Sequence, residues 1–228
     1  MKQGNQTMKL SENTLNILKN FSTINASILI KNGSKLRTIS VLNNIFAEAE
    51  VDEEFPKTFA IYDLNEFLSG LSIHQDPDID FEHDSYLLIK EGKRKVKYFY
   101  ADQATIICPP DKDIKLPSQD VCFQLEHSQL NQLIKAAGVY KLQDLGAVGE
   151  NGIIRLVVRD KKNETSNEYS IVVGETDRDF TFNFKVENIK IIPTSYDVVI
   201  SSKGVSYFYS QKYNLKYYIG LEPDSIFE

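Results

Sequence analysis

Ser85-Tyr86-Leu87-Leu88-Ile89, followed by Tyr98-Phe99-Tyr100, recurs further on as Ser195-Tyr196-Asp197-Val198-Val199-Ile200, followed by Tyr207-Phe208-Tyr209. Tyr86 and Tyr196 stand 110 residues apart, and Tyr98 and Tyr207 stand 109 apart. Each pair of stretches brackets a small turn signal, Glu91-Gly92-Lys93 in one and Ser202-Lys203-Gly204 in the other. Each then leads to a further apolar stretch that ends near proline, Thr105 to Cys108 before Pro109 and Tyr217 to Leu221 before Pro223. Alternating aromatic and β-branched residues suit strands packed on one face. Near-constant spacing of such pairs predicts a duplicated domain.

The upstream segments repeat in the same order. Leu15-Asn16-Ile17-Leu18-Lys19 is echoed by Leu130-Asn131-Gln132-Leu133-Ile134-Lys135, and Phe59-Ala60-Ile61 by Phe184-Lys185-Val186. Each half therefore reads as helix, three strands, helix, three strands. This is an α+β fold of two similar domains, each with two helices on one face of antiparallel sheets. The predicted domains are 8–108 and 119–228, with 1–7 an N-terminal extension. Residues 109–118 form a connector, stiffened by Pro109, Pro110 and Pro117.

With 228 residues, 42% hydrophobic and 25% charged, the composition is that of an ordinary globular protein. No apolar run approaches the ~20 residues needed to span a bilayer, and Met1 to Thr7 lack the apolar stretch of a signal peptide. Cys108 and Cys122 are too few for a disulfide framework, so the expected compartment is a reducing cytoplasm. A net charge of −6 excludes a basic domain that grips phosphates by overall charge, but not a local basic surface.

Helical periodicity predicts a first helix over about Ser11 to Ile24, capped by Ser11 or Asn13. Thr14, Ile17, Leu18, Phe21 and Ile24 fall on its buried face, and Glu12, Asn16, Lys19 and Thr23 opposite. A second, from Asp63 to about Leu71, buries Leu64, Phe67, Leu68 and Leu71. A third, about Ser128 to Tyr140, buries Leu130, Leu133, Ile134, Ala137 and Tyr140, leaving Ser128, Asn131, Gln132, Lys135 and Gly138 open. The segment Glu187 to Ile192 is little more than a turn before Pro193. The open faces of the first and third helices combine one lysine with amides and hydroxyls, a mixture that touches phosphates without holding them tightly.

Catalytic signatures are missing: there is no GxxxxGK[ST], GxGxxG or GxSxG. His74, His83 and His127 lie at no metal-ligand spacing, and Cys108 reads as a core residue at a strand end. Asp76, Asp78, Asp80, Glu82 and Asp84 alternate with Pro77, Ile79, Phe81 and His83, the period of a half-buried strand with an acidic face. Phe81 stands where a calcium loop needs glycine. Lys93-Arg94-Lys95-Val96-Lys97 has three readings: a nucleic-acid patch, lysines that deter edge pairing, or half of a subunit interface. Its acidic counterpart around Glu164, Glu168, Glu175, Asp177 and Asp179 would permit head-to-tail closure into a ring.

Phe59-Ala60-Ile61-Tyr62-Asp63-Leu64-Asn65-Glu66-Phe67-Leu68, taken with the order of elements, resembles the sliding clamps of T-even-type bacteriophages. These are DNA polymerase processivity factors, related in fold to proliferating cell nuclear antigen. Met8-Lys9-Leu10-Ser11, Leu18-Lys19-Asn20-Phe21, Phe180-Thr181-Phe182-Asn183-Phe184 and Leu221-Glu222-Pro223-Asp224-Ser225 support the likeness, which covers about Met8 to Glu228. The resemblance implies a homotrimeric closed ring with helices lining the hole, no enzymatic activity and no cofactor. It implies threaded double-stranded DNA, a DNA polymerase, an ATP-dependent clamp loader and late-transcription factors as partners. Under it, Lys19, Lys135, Asn16, Asn131 and Gln132 face the DNA, with Lys9, Lys141 and Lys190 in support. Mapped by position, Leu116, Pro117, Tyr218, Leu221 and Pro223 hold partner tails. Lys93, Lys95, Lys97, Glu164, Glu168 and Glu175 fall to the subunit interface. Residues 1–7 precede the family-like start at Met8. On the residues alone, a small cytosolic enzyme or a two-domain adaptor that binds only proteins also stays open.

Overall fold

The computed structural model describes residues 7–163 and 165–228, and the chain divides into two compact units, 1–111 and 112–228. In the first, β1 (Thr7–Met8) leads to α1 (Glu12–Ile24). Four strands follow, β2 (Ile28–Ile30), β3 (Gly33–Ile39), β4 (Ile45–Phe55) and β5 (Phe59–Ile61). Next come α2 (Leu64–Ser72), β6 (Asp78–Asp80), β7 (Tyr86–Glu91) and β8 (Arg94–Phe99), with a 3-10 turn at Gln103–Thr105. In the second unit β9 (Val121–Leu125) leads to α3 (His127–Tyr140), then β10 (Asp144–Glu150), β11 (Ile153–Arg159), β12 (Tyr169–Glu175) and β13 (Phe180–Lys185). A 3-10 turn at Val186–Asn188 precedes β14 (Tyr196–Ser201), β15 (Val205–Ser210), β16 (Leu215–Gly220) and β17 (Ile226–Phe227).

Both units share one plan, and it corrects the sequence reading in four places. Four strands, not three, separate the helical positions, and a strand precedes the first helix of each unit. The second unit has one α-helix and a 3-10 turn rather than two helices, because Pro193 closes a segment with no helical period. Thr105 to Cys108 forms no strand: Asp102 caps a short turn by accepting the Ala104 N–H at 3.0 Å, and Cys108 is exposed. The register of the repeat is also slipped by one strand. Strand orders β1-β6-β7-β8 and β9-β14-β15-β16 are the same, so β7 corresponds to β15 and not to β14. Strands of alternating aromatic residues resemble one another under a shift by one strand, which is why letters alone matched Tyr86 to Tyr196.

The helix match at Leu15 and Leu130 does hold, as α1 and α3 each follow the first strand of their unit. Ser11 caps α1, its side chain accepting the Thr14 N–H at 3.2 Å, and Asp63 caps α2, accepting from Glu66 at 3.0 Å. Glu126 and Gln129 form a capping box on α3, with the Glu126 N–H donating to Gln129 Oε1 at 2.9 Å. Thr14, Ile17, Leu18, Phe21 and Ile24 are all buried, and α1 packs on α2 and β4. On α3 the buried residues are Leu130, Leu133, Ala136 and Ala137. Ile134 and Tyr140, expected inside, are 39% and 50% exposed, since no second helix covers the flank.

Strand β6 is shorter than the acidic alternation suggested. Asp80 turns inward and pairs with Lys90 at 2.5 Å, which holds its carboxyl below the usual carboxylate range. Among the described residues no group of His, Cys, Asp or Glu could hold a metal ion, and no helix is long and apolar enough to cross a membrane.

In the five-stranded sheet β12-β11-β10-β13-β17, Gly149 lies opposite Phe180. A Cβ there would collide with the Phe180 ring and stand 2.7 Å from Arg178 O, a backbone atom that cannot swing aside. Phe180 also stacks on Phe182, at 5.1 Å between centroids. We expect Gly149→Ala to cost about 1–3 kcal/mol in urea unfolding. A loss under about 0.5 kcal/mol would show that β10 and β13 separate freely.

Candidate nucleic-acid, partner and subunit surfaces

The residues expected to face DNA divide between helices and loops. On α1, Lys19 is exposed and Asn16 half-buried; on α3, Asn131, Gln132 and Lys135 are all exposed. Two of the amides are already engaged: Gln132 Oε1 accepts from the Tyr169 hydroxyl at 3.1 Å, and Asn131 Nδ2 lies 2.8 Å from His127 Nε2. Neither bond uses all the polar atoms of its amide. The lysines of the two helices are therefore the mobile charges of these faces. Lys141 sits at the C-cap of α3 in the left-handed conformation, φ 55°, and is exposed.

Lys9 and Lys190 lie off the helices. Lys9, between β1 and α1, pairs with Asp76, whose carboxylate holds the ammonium above its usual range. Both side chains of that pair are exposed, so it holds Lys9 only loosely. Lys190 is half-buried in the segment after Val186–Asn188. The open face of α1 thus carries Asn16 and Lys19, and that of α3 carries Asn131, Gln132 and Lys135, with Lys141 at its C-cap.

Of the residues expected to hold partner tails, Leu221 is bonded to the turn Ser201–Gly204, as is Ser118 beside Pro117. Ser118, just past Leu116 and Pro117, has its Oγ 2.6 Å from Ser201 Oγ and donates to Asp120 Oδ2 at 2.6 Å; Asp120 also accepts the Ser202 N–H at 2.7 Å. The Leu221 N–H donates to Gly204 O at 3.0 Å. The turn Ser201-Ser202-Lys203-Gly204 therefore pins both the connector and the C-terminal segment. Tyr218 adds a third tie, its hydroxyl donating to Ile114 O at 3.1 Å. Leu116, Tyr218 and Leu221 are half-buried, while Pro117 and Pro223 are exposed. Sequence reasoning missed Tyr207, whose ring lies 5.1 Å from that of Tyr218; its alternation along β15 was the available signal.

The proposed subunit residues lie on strand edges. Strand β8 ends the sheet β1-β6-β7-β8, and β12 ends the sheet β12-β11-β10-β13-β17. Lys95 and Lys97 point from β8 to one side with Phe99, which is 61% exposed, and Lys93 occupies the tight turn before it. Lys97 Nζ stands 3.9 Å from the Tyr86 ring centroid and 4.6 Å from that of Phe99. Arg94 differs from its neighbours, being paired with Glu91 at 2.5 Å. Glu168 and Glu175 flank β12 and are exposed, and Val172 between them is 55% exposed. Glu164 lies outside the described residues. Phe99 and Val172 were not assigned to this edge from the sequence: Val172 stands between Ile171 and Val173, and Phe99 between Tyr98 and Tyr100, so neither had a polar alternation to mark it as exposed.

Comparison with known proteins places the chain in a family. A model of the DNA polymerase processivity factor family matches residues 9–108, and one of the C-terminal part of the gp45 sliding clamp matches residues 122–223. A sliding clamp of Vibrio phage KVP40 is 33% identical over 222 residues, covering 94% of this chain and 99% of its own. One of Escherichia phage RB69 is 32% identical over 227 residues, covering 96% and 98%. Among solved structures, an A. fulgidus PCNA bound to the C-terminal region of FEN-1 superposes with a TM-score of 0.71 at 13% identity, covering 96% of this chain and 99% of its own. The last match speaks for the fold, and the phage relatives, aligned over nearly the full length of both chains, speak for kinship. This chain belongs to the sliding-clamp family of DNA polymerase processivity factors.

Proposed function

We propose that three copies of this chain close into a ring threaded by double-stranded DNA, which tethers a DNA polymerase for processive synthesis. The observation that carries this reading is the pair of open edges, basic on β8 in one unit and acidic on β12 in the other. A basic edge in one unit and an acidic edge in the other suit head-to-tail closure, and three such contacts leave neither β8 nor β12 exposed. The ring is not an enzyme. It is opened and placed on DNA by an ATP-dependent loader, serves late-transcription factors as well as the polymerase, and works in the cytoplasm of the host cell. Partner tails dock beside the turn Ser201–Gly204, against Leu116, Tyr218 and Leu221.

A net charge of −6 fits this task. A ring retains DNA by being closed, so strong phosphate affinity is unnecessary and would slow sliding. Each neutralised phosphate adds about −0.9 to the salt slope of binding, and one lysine on each helix face keeps that slope shallow. The test is topological. Clamp loaded on closed circular DNA should stay through gel filtration at high salt and leave within minutes once the circle is cut. Equal loss from intact and cut circles would sink the proposal.

A further inference from the structure

On the open face of α3, His127, Asn131 and Lys135 follow one another at a spacing of four, and all three are exposed. Residues so spaced are neighbours along one line of a helix. The imidazole therefore extends the line of Asn131 and Lys135 by one turn. Its Nε2 lies 2.8 Å from Asn131 Nδ2. An amide nitrogen only donates, so Nε2 accepts there and the ring is neutral, with its proton on Nδ1. In that state the Asn131 carbonyl oxygen is the atom left open. Histidine is the side chain that ordinarily changes charge between about pH 5 and about pH 8. Once charged, the ring donates from both nitrogens, and Asn131 must turn its amide over to accept with Oδ1. The line then carries two cations instead of one, and Asn131 offers its NH2 group outward.

The charged neighbours of the ring are few. Glu126, the preceding residue, has its carboxylate engaged in the capping box and by the Ser195 hydroxyl, which donates to it at 3.1 Å. From the segment before β14 the contact is Ser195 itself, a neutral group whose Oγ accepts the His127 N–H at 3.1 Å. Strand β12 brings Tyr169, which donates to Gln132, and β11 turns Leu156 and Val158 toward the helix. Lys135 stands about two turns along α3. We propose that His127 is a DNA-facing residue whose protonation tightens the weak hold on phosphates, by meeting a phosphate itself and by turning Asn131 into a donor. This rests on the reading of a ring threaded by DNA with α3 toward it, and adds a contact that varies with pH. A phosphate beside the ring favours its charged form, so proton and DNA promote each other's binding.

The test uses the full chain and a short fluorescent DNA duplex at low salt, with anisotropy read from about pH 8 to about pH 5.5. We expect the native chain to bind about three- to fivefold more tightly at the acid end, its salt slope steeper by about 0.9 for each charged imidazole that meets a phosphate. His127→Gln pairs with Asn131 but never charges, so it should bind as the native chain does at the alkaline end and lose the gain on acidification. His127→Lys should bind at the tighter level throughout. A native profile without pH dependence, or the same profile in His127→Gln, overturns the proposal, as does a His127→Lys chain no tighter than the native one at the alkaline end. A histidine kept only for its bond to Asn131 would shift urea unfolding in His127→Gln and leave the pH profile native. Closed circular DNA separates the two readings. A flat profile with native rings still retained on intact circles removes His127 alone, whereas native rings lost from intact circles remove the ring and this contact with it.

Discussion

A chain carrying Lys95→Glu and Lys97→Glu together is expected to sediment as a folded monomer at concentrations where the native chain is expected to form the proposed trimer. Both side chains are exposed on β8, an edge strand, on the same side as the exposed Phe99 ring. In the proposed ring they meet Glu168 and Glu175 of the next copy, so the reversal turns attraction into like-charge contact. Such juxtapositions cost several kcal/mol, and a shift of about a hundredfold or more in the dissociation midpoint follows. Within the chain the loss is small, since Lys97 gives up only its contacts with Tyr86 and Phe99, worth about 0.5–1 kcal/mol at an exposed site. Thermal unfolding should therefore separate a broken interface from a broken fold. Adding Glu168→Lys and Glu175→Lys should restore much of the association. A double glutamate variant that stays trimeric at nanomolar concentration would remove β8 from the interface.

Periodicity made α1 and α2 legible because each has a whole amphipathic face covered by its own unit; every residue assigned to those two buried stripes is buried. The same reasoning misplaced Ile134 and Tyr140 on α3. A period of 3.6 says which residues share a face, and says nothing of whether a neighbouring helix exists to cover its flank. Duplication was legible, but its register was not, since β7, β14 and β15 carry the same alternation. Asp80 looked like one of five surface acids until Lys90, on the neighbouring strand, drew it inward. The partner surface shows the sharpest limit. Leu116, Tyr218 and Leu221 were placed by likeness to relatives, whereas the turn beside them acts through a bond between Ser118 and Ser201 and by accepting the Leu221 N–H at Gly204 O. Serine and glycine in a hairpin turn carry no sequence signal beyond the turn itself.

Removing the carboxylate of Asp144 should destabilise the second unit more than any surface charge change. Asp144 opens β10 with its side chain 2% exposed; Oδ1 accepts from Lys185 Nζ at 2.5 Å, and Oδ2 accepts the Lys161 N–H at 3.1 Å. Lys161 reaches on to Asp224 at 2.6 Å, and Asn183, beside Lys185 on β13, accepts the Glu222 N–H at 2.8 Å. Asp144 thus anchors the strand pair against which the C-terminal segment is held. Asp144→Ala leaves a half-buried ammonium and a backbone N–H without their acceptor, at a cost of about 1–3 kcal/mol. Asp144→Leu combined with Lys185→Met removes both charges and should recover part of that loss, the part due to the orphaned charge, while the Lys161 N–H still lacks its acceptor. The pH dependence has a definite sign. The Asp144 carboxylate raises Lys185 above its ordinary 10.5, so the contribution made through Lys185 is fully present at neutral pH and is lost as pH rises through the elevated folded value. Urea unfolding at pH 7 and above pH 10.5 should show a wide gap between native and Asp144→Ala chains that narrows at the alkaline end. A gap under about 1 kcal/mol at pH 7 would mean that water replaces the carboxylate at little cost and that β10 is held by its ladder alone.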